Sequence, residues 1–188
     1  MPYRFSNLAR GLVPLLWACP ATVCGQRGVQ VNVDAFGRDI IGDAANEPSL
    51  AVSPTDRQRI VIGWRQFDTV ASDFRKAGYG YTDDGGVNWT FPGTLPLPPG
   101  FVNAGQTDPV LGVDRGGRFL YWSEPFNTTT SQHGMYLYQS FNGGASWGIV
   151  GAAVPLTSEF VDKGWFTVDD TGGAGDGILH GCWTSGSP

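Results

Sequence analysis

Thr82-Asp83-Asp84-Gly85-Gly86-Val87-Asn88-Trp89 and Ser140-Phe141-Asn142-Gly143-Gly144-Ala145-Ser146-Trp147 are two copies of one stretch. Each has a hydroxyl residue, then an Asp or Asn two positions on, a Gly two further, and a Trp three beyond that. Alternating aromatic residues lead in, Tyr79 and Tyr81 in one copy and Tyr136 and Tyr138 in the other. This reads as strand, tight turn, return strand. Paired glycines accept positive φ in a turn, and an Asx side chain bonds the backbone N–H groups of its own turn. The Ser or Thr hydroxyl adds a second local bond. The Trp opens the return strand and can fold under the turn as an apolar plug.

Working outward, each copy sits at the same place in a longer unit. Glu47-Pro48-Ser49-Leu50-Ala51-Val52 and Arg59 to Gln66 read as two strands before the first turn. Asp108 to Asp114 and Arg118 to Glu124 repeat them before the second. Asp162 to Asp169 and Gly177 to Trp183 start a third unit. Val52, Val113 and Val168 are matched in this reading, as are Trp64, Trp122 and Trp183. Four short strands recurring over some 40 to 60 residues are the mark of propeller blades. The expected fold is therefore all-β: an incomplete β-propeller with two full four-stranded blades and part of a third. The blades fall at about 47–91, 108–150 and 162–188, after an N-terminal strand or linker at 26–46. Pro92, Pro96, Pro98 and Pro99 are expected to end regular structure after Phe91.

The repeated stretch resembles the Asp-box, or BNR, repeat of sialidases and other secreted β-propellers. Its structural positions are Thr82, Asp84, Gly86 and Trp89, and Ser140, Asn142, Gly144 and Trp147. The first copy departs from the family pattern at Asn88, and the second has Asn142 for the name-giving Asp. In that family the turn stabilises the fold on the outside of the propeller, away from the active site. The resemblance implies a sialidase-like, glycan-directed protein. It carries over no catalytic residue. The family's Arg-Ile-Pro motif is absent, and its arginine triad and Tyr–Glu pair have no counterparts by motif. A non-catalytic propeller that binds glycan or protein is the alternative. As an N-terminal piece of such a propeller, the chain alone is expected to be inactive.

Composition agrees with a turn-rich β protein: 28 glycines, 13% aromatic residues and only 15% charged ones among 188 residues. A net charge of −5 argues against nucleic acid or an anionic membrane surface as partner. Residues 1–25 read as an export signal, with Arg4 and Arg10 before an apolar run over Gly11 to Ala18 that is too short to span a bilayer. Cleavage after Gly25 leaves Cys182 as the single thiol, expected to be a small core residue. A lipoprotein reading, with Cys19 lipidated, competes with cleavage. The expected location is thus outside the cytoplasm, secreted or periplasmic, with a glycan or cell-surface protein as partner and no integral membrane domain.

In a propeller the start of the first strand and the end of the second share one face, near the axis. That rule selects Glu47, Arg65, Asp108, Glu124 and Asp162 as the candidate binding face, with Asn46, Gln66, Asp68 and Lys163 beside them. Carboxylates there can serve as acid and base in glycoside hydrolysis or take a cation through oxygen. Arg65 is the one arginine expected at this face and suits a sugar carboxylate. Arg115 and Arg118 are expected at the opposite end. His133 is read as a loop residue and His180 as a strand residue, neither with ligand-like spacing. No cofactor motif and no dedicated metal site is read from the sequence.

Overall fold

The computed structural model describes residues 28–186. The proposed export signal, with Cys19 and Cys24, lies outside these residues. The described chain is all-β, with ten strands in antiparallel sheets of four, four and two. The first sheet runs β1 (Ala44–Val52), β2 (Ile60–Phe67), β3 (Arg75–Thr82), β4 (Thr90–Thr94) in chain order. The second runs β5 (Gly105–Val113), β6 (Phe119–Asn127), β7 (Gln132–Ser140), β8 (Gly148–Thr157). The third pairs β9 (Phe160–Val168) with β10 (Leu179–Gly186). Among the described residues no helix is long and apolar enough to cross a membrane.

The second sheet is covered on both faces, and the alternation of β6 shows how. Phe119 and Tyr121 point into one cluster, with Val61, Tyr79 and Ala77 of the first sheet. Leu120 and Trp122 point into the other, with Val161 and Phe166 of the third. Successive side chains on a strand face opposite ways, so a strand buried on both sides reads as an unbroken apolar run. Each of these large side chains contributes on the order of 1.5–3 kcal/mol through burial. Close approach of the sheets depends on small residues. A Cβ on Gly63 would meet both Leu111 and Tyr121 at 2.5 Å. Tyr121 also donates its hydroxyl to the carbonyl of Gly78 at 2.9 Å, across the same seam.

The repeated turns form with matched hydrogen bonds. The Thr82 hydroxyl accepts from the N–H of Gly86 at 3.1 Å, and Asp84 Oδ1 accepts from Val87 and Asn88 N–H at 2.9 and 3.0 Å. In the second copy Ser140 Oγ accepts from Gly144 N–H at 2.9 Å, and Asn142 Oδ1 from Ser146 N–H at 3.0 Å. Gly85, Gly86, Gly143 and Gly144 all have positive φ. Asn88 and Ser146, at the same position in the two copies, both bond the Asx side chain, at 2.7 and 2.8 Å. Trp147 packs edge-on to Tyr79 of the first sheet and Tyr121 of the second.

Several local expectations change. Pro92 lies within β4, which runs to Thr94; an edge strand tolerates the missing N–H. Among the described residues before β1, only an isolated bridge forms, Val33 to Asp39. That bridge encloses a turn absent from the sequence reading. Asp34 accepts from the N–H groups of Phe36 and Arg38 and from the Arg38 side chain, as Asp114 does from Gly116 and Arg118. The common pattern is Asp-x-x-Gly-Arg. Cys182 is exposed rather than a core residue, because β10 turns that position away from the packed face.

The matching of Trp64, Trp122 and Trp183 is corrected by the register. The first strand of each sheet, β1, β5 and β9, carries a β-bulge near its start. Glu47 and Pro48 lie between the pairs Asn46–Arg65 and Ser49–Gly63. Asp108 and Pro109 lie between Thr107–Glu124 and Val110–Trp122. Lys163 and Gly164 lie between Asp162–Thr184 and Trp165–Cys182. Trp64, Ser123 and Trp183 therefore oppose the bulges, and Trp122 sits one residue out of step. Glu47, Asp108 and Lys163 have φ of 51°, 50° and 53°. The first residue of such a bulge is ordinarily a left-handed glycine. Bulky side chains held there are uncommon and concentrate at functional sites.

Candidate functional site

The three bulges bring the starts of β1, β5 and β9 together at one end of the sheets. Lys163 Nζ lies 3.2 Å from Asp108 Oδ2 and 3.7 Å from Glu47 Oε2. Glu47 Oε1 pairs with Arg65 at 2.9 Å, and Arg65 Nε donates to Asn46 Oδ1 at 2.8 Å. The three equivalent bulge side chains thus form one chain of charges, carboxylate, ammonium, carboxylate.

Beside it opens a cleft of about 450 Å³ lined by Arg65, Arg75, Asp108, Glu124, Asp162 and Lys163, with Phe126 and Phe160. All five candidate residues chosen from the sequence reach this end of the molecule; Glu47 lies behind the Arg65 and Lys163 heads rather than in the cleft wall. Asp68 stays exposed, paired with Lys76. Gln66 is buried and turned the other way, bonding Trp64 Nε1 and Asp43.

Two residues were missed. Arg75, at the first position of β3, is a second arginine on this face. It donates to Thr107 Oγ1 at 3.2 Å and stacks over Phe126 at 4.6 Å. It stands in the mostly polar stretch Ser72-Asp73-Phe74-Arg75-Lys76, which lacks the alternation that would mark a strand start. His133 lies in β7 rather than a loop, edge-on to Phe160 at 5.6 Å, and lines the cleft. Burial lowers its affinity for a proton. Arg118 is held at the far end by Asp114, at 2.8 Å.

The electrostatics are uneven. Glu124 is 3% exposed, and its Oε2 has no hydrogen-bond partner. Burial above all, with the charges of Asp108 and Asp162 adding to it and those of Lys163 and Arg75 opposing, pushes its carboxyl up to about 8. Asp108 moves the other way. Burial works against its ionised form, but the Thr107 hydroxyl at 2.9 Å and Lys163 outweigh it and hold it below its ordinary value. Two neighbouring carboxyls with opposite shifts differ in protonation at neutral pH, one able to donate a proton and one able to accept.

No family model matches the chain, and no curated protein matches it. One solved structure resembles it, a protein of unknown function from Dyadobacter fermentans. The two share 19% identity at a TM-score of 0.39, over 57% of this chain and 38% of that one. The chain thus spans well under half of that protein's length.

Proposed function

We propose that the chain forms part of an exported β-propeller of the BNR type, sialidase-like in architecture, whose inner-strand cleft is directed at glycans. The observation that carries this reading is the cleft itself. Three cationic heads, three carboxyls and two aromatic rings converge where the starts of three inner strands meet. Sugars are bound by such mixtures of multiple hydrogen-bonding groups and apolar ring faces. The paired turns on Asp84 and Asn142 support the propeller part of the reading, because each closes the third and fourth strands of its sheet.

Hydrolysis is the chemistry open to such a cleft. Glu124 would donate the proton to the departing glycosidic oxygen, and Asp108 or Asp162 would act beside it as the ionised carboxylate. A non-catalytic binding role is the second reading, and one observation favours it. Arg65 is already tied to Glu47 and Asn46, which leaves it poorly placed to grip a sugar carboxylate.

The test uses the full chain against an oligosaccharide library, with a fluorogenic sialoside measured in parallel. Saturable binding of a sugar, lost in Arg75→Ala, is the expected result. Sialoside turnover by this chain is expected not to exceed that of Arg65→Ala. Binding to no sugar would remove the glycan reading, and turnover abolished by Glu124→Gln would replace the binding role with catalysis.

A further inference from the structure

We propose that Asp108, Glu124 and Asp162 form a divalent-cation site, for Ca²⁺ in preference to Mg²⁺, gated by the Lys163 ammonium. Each residue offers one carboxylate oxygen, and the three oxygens lie within 4.8 Å of one another. They come from β5, β6 and β9, so the site bridges the second and third sheets. A second observation points to a ligand. Glu124 is buried to 3% exposure, its Oε2 is without a partner, and it is aimed into this group. An acceptor buried so deeply is ordinarily satisfied, and a missing partner calls for a bound ion or a donor.

The donor set is oxygen only, which selects hard cations. Calcium sits about 2.3–2.6 Å from its ligands, so oxygens up to about 5 Å apart can share one ion. Magnesium, at about 2.0–2.1 Å with strict octahedral geometry, fits the same spread less well. Solvent in the cleft can fill the remaining positions, as is usual for sites with few protein ligands.

Lys163 decides when the site is open. Its Nζ is 3.2 Å from Asp108 Oδ2, but its side chain is 64% exposed, so the ammonium can swing into solvent as an ion enters. The Lys163 backbone N–H donates to the same oxygen at 3.2 Å and keeps Asp108 in place when the side chain leaves. Arg75, Arg65 and His133 are the other titratable groups facing the cluster, and the two arginines weaken its hold on any cation. Binding is therefore expected to be of moderate affinity and to depend on salt.

The inference does not rest on the glycan reading, because the ion is measured without sugar. Calorimetric titration of CaCl₂ into the chelator-treated full chain should give saturable binding of one ion. Glu124→Gln should weaken it at least about tenfold, since an amide cannot give up a proton to the entering ion and become a charged ligand as the carboxyl can. Lys163→Gln should tighten it, and MgCl₂ should bind more weakly than CaCl₂. Asp162→Asn, at a half-buried position, provides a second loss variant if Glu124→Gln unfolds. Absence of saturable binding to the unaltered chain, whatever Lys163→Gln does, overturns the proposal. So does wild-type affinity in a folded Glu124→Gln or Asp162→Asn protein.

Discussion

Lys163 approaches Asp108 twice, through its backbone N–H and through its ammonium, both at 3.2 Å from the same carboxylate oxygen. The two contacts differ in kind. The N–H is fixed by the β9 bulge, whereas the ammonium ends a largely exposed side chain.

Substitution should separate them. Asp108→Ala removes a buried acceptor from the Lys163 N–H and the Thr107 hydroxyl, and is expected to cost about 1.5–3 kcal/mol. Lys163→Gln keeps the N–H and loses the ammonium's two ion pairs, to Asp108 and Glu47, at less than about 1 kcal/mol each because the Lys163 side chain is largely exposed. Urea midpoints of the two variants check the asymmetry; equal losses would mean the ammonium holds the seam.

The two repeated turns, at Asp84 and Asn142, should respond differently to added bulk. Gly86 and Gly144 have nearly the same backbone, φ of 91° and 92°. A Cβ at Gly86 meets nothing nearer than Trp89 at 3.7 Å, while one at Gly144 meets Val61 at 2.6 Å. Gly86→Ala is expected to cost about 1–2 kcal/mol from the left-handed backbone alone. Gly144→Ala should add about 1–3 kcal/mol of overpacking. Thermal unfolding of both variants gives the comparison.

Asp84 and Asn142 make the same test by charge. The Asn88 N–H, the Thr82 hydroxyl and the Asn88 side chain lower Asp84 to about 2. A carboxyl depressed in the folded state stabilises above its unfolded value near 3.8, and that stability is lost as pH falls toward 2. Asp84→Asn keeps the acceptor oxygen, as Asn142 does, so it should be milder than Asp84→Ala. It should also flatten the fall in stability between about pH 4 and pH 2, read from denaturant midpoints across that range.

Glu124 carries the opposite sign. Its carboxyl is raised by burial to about 8, against an ordinary value of 4.5. Between those values the unfolded chain is ionised while the folded chain keeps the proton, so stability declines as pH rises from about 4.5 to about 8. Glu124→Gln removes that decline. In calcium-free buffer the variant should gain on the wild type between pH 5 and pH 8; an unchanging difference would mean that Glu124 ionises freely.

How much of this was legible in the sequence depends on how local each feature is. The turns at Asp84 and Asn142 were readable because their bonds close within five residues. The all-β class followed from them. The register was not, because a bulge leaves no single signature. Proline follows Glu47 and Asp108, but glycine follows Lys163, and Trp122 falls beside Trp64 in the text while lying one rung away in the ladder. The candidate acids were found because strand starts and ends alone select them. Arg75 and His133 were missed because each enters the cleft from a third strand, and no pairing rule between first and second strands reaches there.

The bulges at Glu47, Asp108 and Lys163 also separate two kinds of variation. Each inserts a residue that the ladder does not count, so its side chain can be exchanged without shifting the pairs on either side. Acid, acid and base already occupy that slot in three copies of one repeat. Each further sheet of this kind therefore supplies a new, separately adjustable group at the mouth, while the ladder pairs on either side of the bulge keep their antiparallel register. A surface assembled this way can diverge in what it binds far faster than in how it folds.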